Sequence, residues 1–221
     1  MKEKENKLLP IAVIFLIVIF FSFLVYNIVI GFKILKIKNT NEVIESMTSE
    51  NYVLSNFEND PVKGKLNTSV TIYLFADYEL ENIKSILAVV DQILLKYPDN
   101  VNFVWKDLPL PNHYFSKAAA LAARCALPSE KYFEYQTKLL ENQGHYSFEL
   151  YKNIANELNI PLTDFLSCYQ SQKYLIDIEY NINEAYVLNV EDIPTIFINQ
   201  DKYTGEISFE KLDVIISSLI K

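Results

Sequence analysis

"SVTIYLFADYELENIKSILAVVDQILLKYPD", residues 69–99, decides the fold. Its opening is dense in β-branched and aromatic side chains, which suits a buried strand over Val70–Ala76. From Glu79 to Tyr97 the apolar residues recur at helical spacing, and Pro98 closes the run. A strand feeding straight into a helix N-terminus gathers unpaired N–H groups and the positive end of the helix dipole at the junction. A cysteine placed there would have its thiolate stabilised. None is present, and the residues spaced one turn apart at this junction are Leu80 and Ile83.

Upstream of this stretch the chain carries a long apolar run. From Leu8 to Phe32 there is no charged residue. Twenty-five residues at about 1.5 Å each reach roughly 37 Å, enough to cross a hydrocarbon core of about 30 Å with some tilt. A cleaved signal peptide is the competing reading, but its apolar region is shorter, about 7–15 residues, and an Ala-x-Ala-like cleavage site follows it. No such site occurs near Asn27–Lys38. The expectation is one transmembrane helix over about 8–32 within an N-terminal anchor, residues 1–38. Lys2, Lys4 and Lys7 before the span balance Lys33, Lys36 and Lys38 after it, so the positive-inside count leaves orientation open.

Beyond residue 38 the chain has 14 Lys and Arg against 26 Asp and Glu, a net charge of −12. Such a surface repels phosphate backbones and anionic lipid headgroups, which argues against a nucleic-acid partner. Residues 39–60 are polar with scattered apolar positions and read as a juxtamembrane spacer; 61–221 read as one folded domain. After the first strand and helix, "VNFVWKDLPL" (101–110) reads as a second strand closed by its prolines. Helical patterns then fill an insertion over about 113–172, and 173–189 adds a further helix. "IPTIFIN" (193–199) and "KYTG" (202–205) read as a strand and a short hairpin partner. "SFEKLDVIISSLIK" (208–221) is an amphipathic final helix with Ser208 as N-cap.

The order is β-α-β, helices, then β-β-α. With "DPVKGKLNTSVTIYLFADYE" (60–79), "VNFVWKDLPL" followed by His113, "AAALAARCALPSEKYFEYQTKLLENQ" (118–143) and "VEDIPTIFINQDKYTG" (190–205), it resembles the DsbA-like thioredoxin-fold family of extracytoplasmic thiol–disulfide oxidoreductases. The resemblance covers some 160 residues. It implies an α/β, thioredoxin-like fold with an inserted helical domain, here preceded by the N-terminal span.

The family's frame is aromatic, variable, Asp, aromatic, Glu, then Cys-Pro-x-Cys. This chain reads Phe75, Ala76, Asp77, Tyr78, Glu79, then Leu80, Glu81, Asn82, Ile83. Leucine and isoleucine have no ionisable atom and form no mixed disulfide. The family's buried acid in the frame Thr-Ile-x-Glu-Phe is Leu74 here. A buried, unpartnered carboxylate costs several kcal/mol or takes up a proton, so it is kept only where it has a task. Both departures point to a degenerate site with no catalytic residue. No cysteine lies within 40 residues of the turn, so shifting the frame restores nothing.

Cys125 and Cys168 lie in the helical region, 43 residues apart. The resemblance implies a second, structural disulfide between them; two buried thiols, or a catalytic pair, are the other readings. Pro194 stands where the family has its cis-proline, and Ile193, Pro194 and Thr195 would flank a groove offered to an extended peptide; a trans-proline at a strand start is the alternative. Leu80 and Ile83 at the mouth of that groove would make it more apolar. His113 and His145 read as surface or helix-start residues. Two His and two distant Cys give no metal-ligand spacing, so neither a metal nor a cofactor is expected. The expected function is a membrane-anchored, extracytoplasmic, non-catalytic peptide-binding or assembly factor, with an envelope protein as partner. The alternative is an oxidoreductase working through Cys125 and Cys168 or as a subunit of an oxidase complex.

Overall fold

The computed structural model describes residues 52–54 and 56–220. The anchor expected over 1–38, its span and most of the spacer lie outside the described residues. Among the described residues no helix is long and apolar enough to cross a membrane.

The elements are β1 (Val62–Gly64), β2 (Val70–Ala76), α1 (Ile83–Lys96), β3 (Val101–Asp107), α2 (Ser116–Arg124), a 3-10 turn (Leu127–Ser129), α3 (Tyr132–Glu141), α4 (Phe148–Glu157), α5 (Leu162–Gln170), α6 (Leu175–Val187), β4 (Thr195–Ile198), β5 (Asp201–Thr204) and α7 (Phe209–Leu219). The sheet runs in the order β1-β3-β2-β4-β5. β2 and β3 are parallel, with Ala76 opposite Asp107; β4 is antiparallel to β2, with Thr195 opposite Phe75. The carboxyl ends of β2 and β3 and the entry to β4 therefore meet at one sheet end. Ligands of open α/β sheets bind outside that kind of edge.

Strand alternation splits the core in two. Ile72, Leu74, Phe103 and Trp105 face one side with Ile83, Ile86, Val90 and Ile93 of α1 and Leu212 and Ile216 of α7. Tyr73, Phe75, Val104 and Phe197 face the other with Ala185 of α6 and Leu54 of the N-terminal segment. The mixed α/β thioredoxin-like fold with inserted helices is thus in place.

Several boundaries differ from the expectation. Strand β3 ends at Asp107, before the first proline. The first helix begins at Ile83 rather than Glu79: the Tyr78 carbonyl accepts the Gln143 side-chain amide at 2.9 Å, and the Leu80 carbonyl accepts the same amide at 2.9 Å together with Ile83 N–H at 3.3 Å, a turn ahead of the helix. β1 had no pattern to announce it; it is three residues long and pairs antiparallel with β3. Gly64, at φ +97°, brings its backbone so close to Val101 O that a Cβ there would sit 3.2 Å from it.

Candidate functional site: the turn after strand β2

The turn after β2 is held by its own side chains and by partners from β3, α3 and the loops that flank α2 and α3. Asp77, 2 % exposed, accepts the N–H groups of Glu79 (3.0 Å) and Leu110 (3.1 Å), and its second oxygen lies 2.5 Å from His113 Nδ1. Tyr78 is fully buried against Trp105, ring centroids 5.3 Å apart, with its hydroxyl 2.8 Å from that of Tyr132. Burial pushes the Tyr78 phenol well above its ordinary range. The Tyr78 carbonyl also accepts the Tyr146 hydroxyl at 2.8 Å. Glu79 accepts the N–H groups of Phe115 (2.7 Å) and Ser116 (2.9 Å), capping α2 with a carboxylate at the positive end of its dipole.

His113 is therefore a partner of the turn, not the plain surface or helix-start residue that was expected. Its spacing from "DYE" carries no signal in the sequence. His145 is exposed.

Leu80 is half-buried and Ile83 is fully buried as the first residue of α1. Ile83 is therefore not at a groove mouth; it belongs to the core, where such burial stabilises by about 1.5–3 kcal/mol. Asn82 precedes it as N-cap without a capping side-chain bond, and its amide instead donates to Glu206. Leu74 lies between Trp105 and Ile196 in the sheet and is wholly buried, so this position places no carboxylate beneath the turn; the buried acid at this sheet end is Asp107, which accepts from Trp105 Nε1 and is held by Arg124. Leu80 and Ile83 thus present only carbon at this junction.

Across from the turn, the Ile193–Pro194 peptide is cis. The Pro194 carbonyl accepts Gly205 N–H at 2.8 Å, and the Thr195 hydroxyl donates to the Asp192 carbonyl at 2.6 Å. Ile193 is half-buried; Pro194 and Thr195 are buried. Since Thr195 pairs with Phe75, Ile193 and Pro194 lie beside the chain as it leaves β2.

Cys125 and Cys168 form a disulfide, Cα atoms 5.8 Å apart. Cys125 is the C-cap of α2, and Cys168 lies in the last turn of α5. A helix C-terminus is the electrostatic opposite of the N-terminal seat that stabilises a thiolate, which favours the closed, structural state.

The second face of the sheet holds a buried ionic cluster that the sequence reading missed. Lys106 lies 2.6 Å from Asp60 and 2.7 Å from Glu184, all three side chains shut off from solvent. Arg124 donates to Asp107 (2.6 Å), to Asn181 (2.7 Å) and to the Asn59 carbonyl (2.8 Å). Burial raises the pKa of Asp107 and of Glu184, each opposed by its cation. Tyr52 donates to Glu184 at 2.5 Å, so the segment 52–60 lies over this cluster. The signal was available: alternation in "VNFVWKD" puts Lys106 on the buried face with Val104, and a lysine there requires counter-charge.

The family model described as "Thioredoxin" matches residues 56–218. The chain belongs to this thioredoxin family. Among solved structures, the fold is similar to a thioredoxin-like oxidoreductase from Silicibacter pomeroyi, with TM-score 0.67 and 21% identity over 74% of this chain and 93% of that one. It is also similar to the thiol-disulfide exchange protein alpha-DsbA2 from Wolbachia pipientis, with TM-score 0.64 and 24% identity over 73% and 88%. This thioredoxin-family chain is therefore DsbA-like in fold. Among curated proteins it is 25% identical over 162 residues to Na(+)/H(+) antiporter NhaA 1 of Salinispora arenicola, 73% of this chain. The chain spans about a quarter of the length of the curated relatives it matches.

Proposed function

We propose that this thioredoxin-family protein is a membrane-anchored, extracytoplasmic binding or assembly factor that has lost the redox pair and retains the peptide-binding edge. The observation that carries the reading is the turn itself. Its hydrogen bonds through Asp77, Glu79, Gln143 and Tyr146 hold the junction in shape, while Leu80, Ile83 and Leu74 supply no thiol and no proton acceptor. A turn with this much support and no chemistry suits recognition. An extended segment is the natural occupant, added beside Pro194 with its side chains against Leu80 and Ile193.

The anchor reading rests on the apolar run 8–32. The extracytoplasmic reading is supported by the disulfide, which persists in oxidising compartments. The likeness to part of a much longer antiporter supports a working place beside a membrane protein. The alternative, exchange through Cys125 and Cys168, has the helix C-terminal placement of both sulfurs against it.

The deciding experiment assays the full chain for insulin reduction and for oxidation of a dithiol peptide, with and without Cys125→Ala and Cys168→Ala. No exchange is expected in any form. Activity abolished by the cysteine substitutions would establish the alternative. Protease added to cells with a permeabilised outer layer should digest residues 40–221; protection until lysis would reverse the topology.

A further inference from the structure

The candidate binding edge is ringed by carboxylates that nothing in the described chain neutralises. Glu81 lies in the turn between Leu80 and Asn82, and Glu206 is held there by the Asn82 amide. Glu191 and Asp192 sit on the loop that enters cis Pro194. All four are exposed, and none has an ion-pair partner among the described residues. Elsewhere on the surface some acids are matched, Asp91 by Lys63, Asp213 by Lys96 and Glu157 by Lys138, while others such as Glu130 and Asp164 form no ion pair; what sets these four apart is that they gather at one edge. The lysines closest in sequence form no ion pair with these four acids, although exposed Lys84 stands only three residues after Glu81. Lys202 donates to the Leu188 and Asn189 carbonyls, and Lys211 stands over the Tyr203 ring.

Beside these acids lies apolar surface. Leu80 and Ile193 are half-exposed, and on the far side of Glu79 the rings of Tyr114 and Phe115 are 87% and 50% exposed. The backbone bonds from Phe115 and Ser116 to Glu79 fix those rings next to the turn. From Tyr114 a groove of about 530 Å³ continues over the inserted helices, lined by Leu121, Phe148, Tyr169 and Leu175 and also by Lys117, whose ammonium lies 3.8 Å from Glu179.

We infer that the segment recognised here is basic as well as extended, with lysine or arginine side chains beside apolar ones. This rests on the peptide-binding reading above and assigns its substrate class. A cluster of unpaired carboxylates on a domain that is itself acidic, with 14 Lys and Arg against 21 Asp and Glu over 61–221, concentrates cationic segments and repels acidic ones. Lysine and arginine also lay apolar stems along such a surface, and their heads are attracted to aromatic faces.

The test uses the full chain in an uncharged detergent and three labelled twelve-residue probes. One carries three lysines followed by phenylalanine and leucine, one has glutamine in place of each lysine, and one has glutamate. Fluorescence anisotropy at 50 mM salt should rank them lysine, glutamine, glutamate, with about tenfold between the first two, the product of a few exposed charge pairs. At 300 mM salt the ranking should collapse. The triple variant Glu81→Gln, Asp192→Asn, Glu206→Gln should bind the lysine and glutamine probes alike, while Tyr114→Ala with Phe115→Ala should weaken both. Equal or tighter binding of the glutamate probe, or a lysine preference that survives the triple variant, overturns the inference and leaves peptide binding standing. Failure of all three probes overturns peptide binding itself, and the inference with it.

Discussion

Asp60 and Lys106 meet 2.6 Å apart with neither side chain touching solvent. Asp60 also reaches Arg124 and accepts from Asn181 at 2.9 Å, so one carboxylate serves two buried cations. Removing one partner of a buried pair costs more than the pair contributes, because the other charge is left uncompensated. Asp60→Ala is expected to lose about 3–5 kcal/mol. Urea denaturation measures it, and a loss under 1 kcal/mol would show that water reaches the cluster.

The pH dependence follows from Glu184, whose pKa burial raises from its ordinary 4.5 despite Lys106. A carboxyl whose pKa is raised on folding contributes stability that is fully present below its unfolded value. That contribution declines as pH climbs through the raised value. The stability difference between the wild type and Glu184→Gln should therefore shift against the wild type as pH rises above 4.5. Denaturant melts of both proteins across that range test the sign. A difference moving the other way would mean that Lys106 outweighs burial.

The disulfide should be complete in the mature protein. Its closed loop of 43 residues contributes about 4 kcal/mol in the chain-entropy model. Mass spectrometry after alkylation without reductant should find neither cysteine modified. Cys125→Ala with Cys168→Ala should lower the melting midpoint and leave the peptide binding proposed for the turn unchanged.

A grafted pair tests descent of the turn from a redox site. Leu80→Cys with Ile83→Cys should close an intramolecular disulfide under mild oxidation, the spacing being one turn at a helix start. Oxidase activity should stay slight, because Leu74 provides no proton acceptor. Failure of the two thiols to pair would mean that the turn is no remnant of such a site.

The turn's rigidity depends on Gln143, whose amide donates to two of its carbonyls. Gln143→Ala is expected to speed amide exchange across 78–83 while leaving the strands protected. Unchanged exchange would place the turn's order in Asp77 and Glu79 alone.

Much of this was legible in the sequence, and the exceptions have physical causes. The strands over 70–76, 101–107 and 195–198 announced themselves by β-branched and aromatic runs, and α7 by its amphipathic spacing and the Ser208 cap, which accepts Lys211 N–H. Local patterns report local bonds. The start of α1 escaped because the preceding turn is braced by Gln143, distant in sequence, whose amide bonds the Tyr78 and Leu80 carbonyls. His113 escaped because its partner, Asp77, lies across the sheet end. The cis Pro194 and the cysteine pairing were read from resemblance alone, since neither leaves a trace in periodicity.

The segment 52–60 bears on how this domain is to be produced by itself. Composition suggests trimming at residue 61, where the polar spacer gives way to strand. A fragment cut there would discard Leu54, buried with Phe75 and Phe197, and Tyr52, bonded to Glu184. It would also discard the carboxylate of Asp60, stranding Lys106 and Arg124 in the interior. A version of the domain made by itself therefore has to start upstream of Tyr52, and aggregation of a shorter one would reflect a missing counter-ion rather than a fold unable to stand alone.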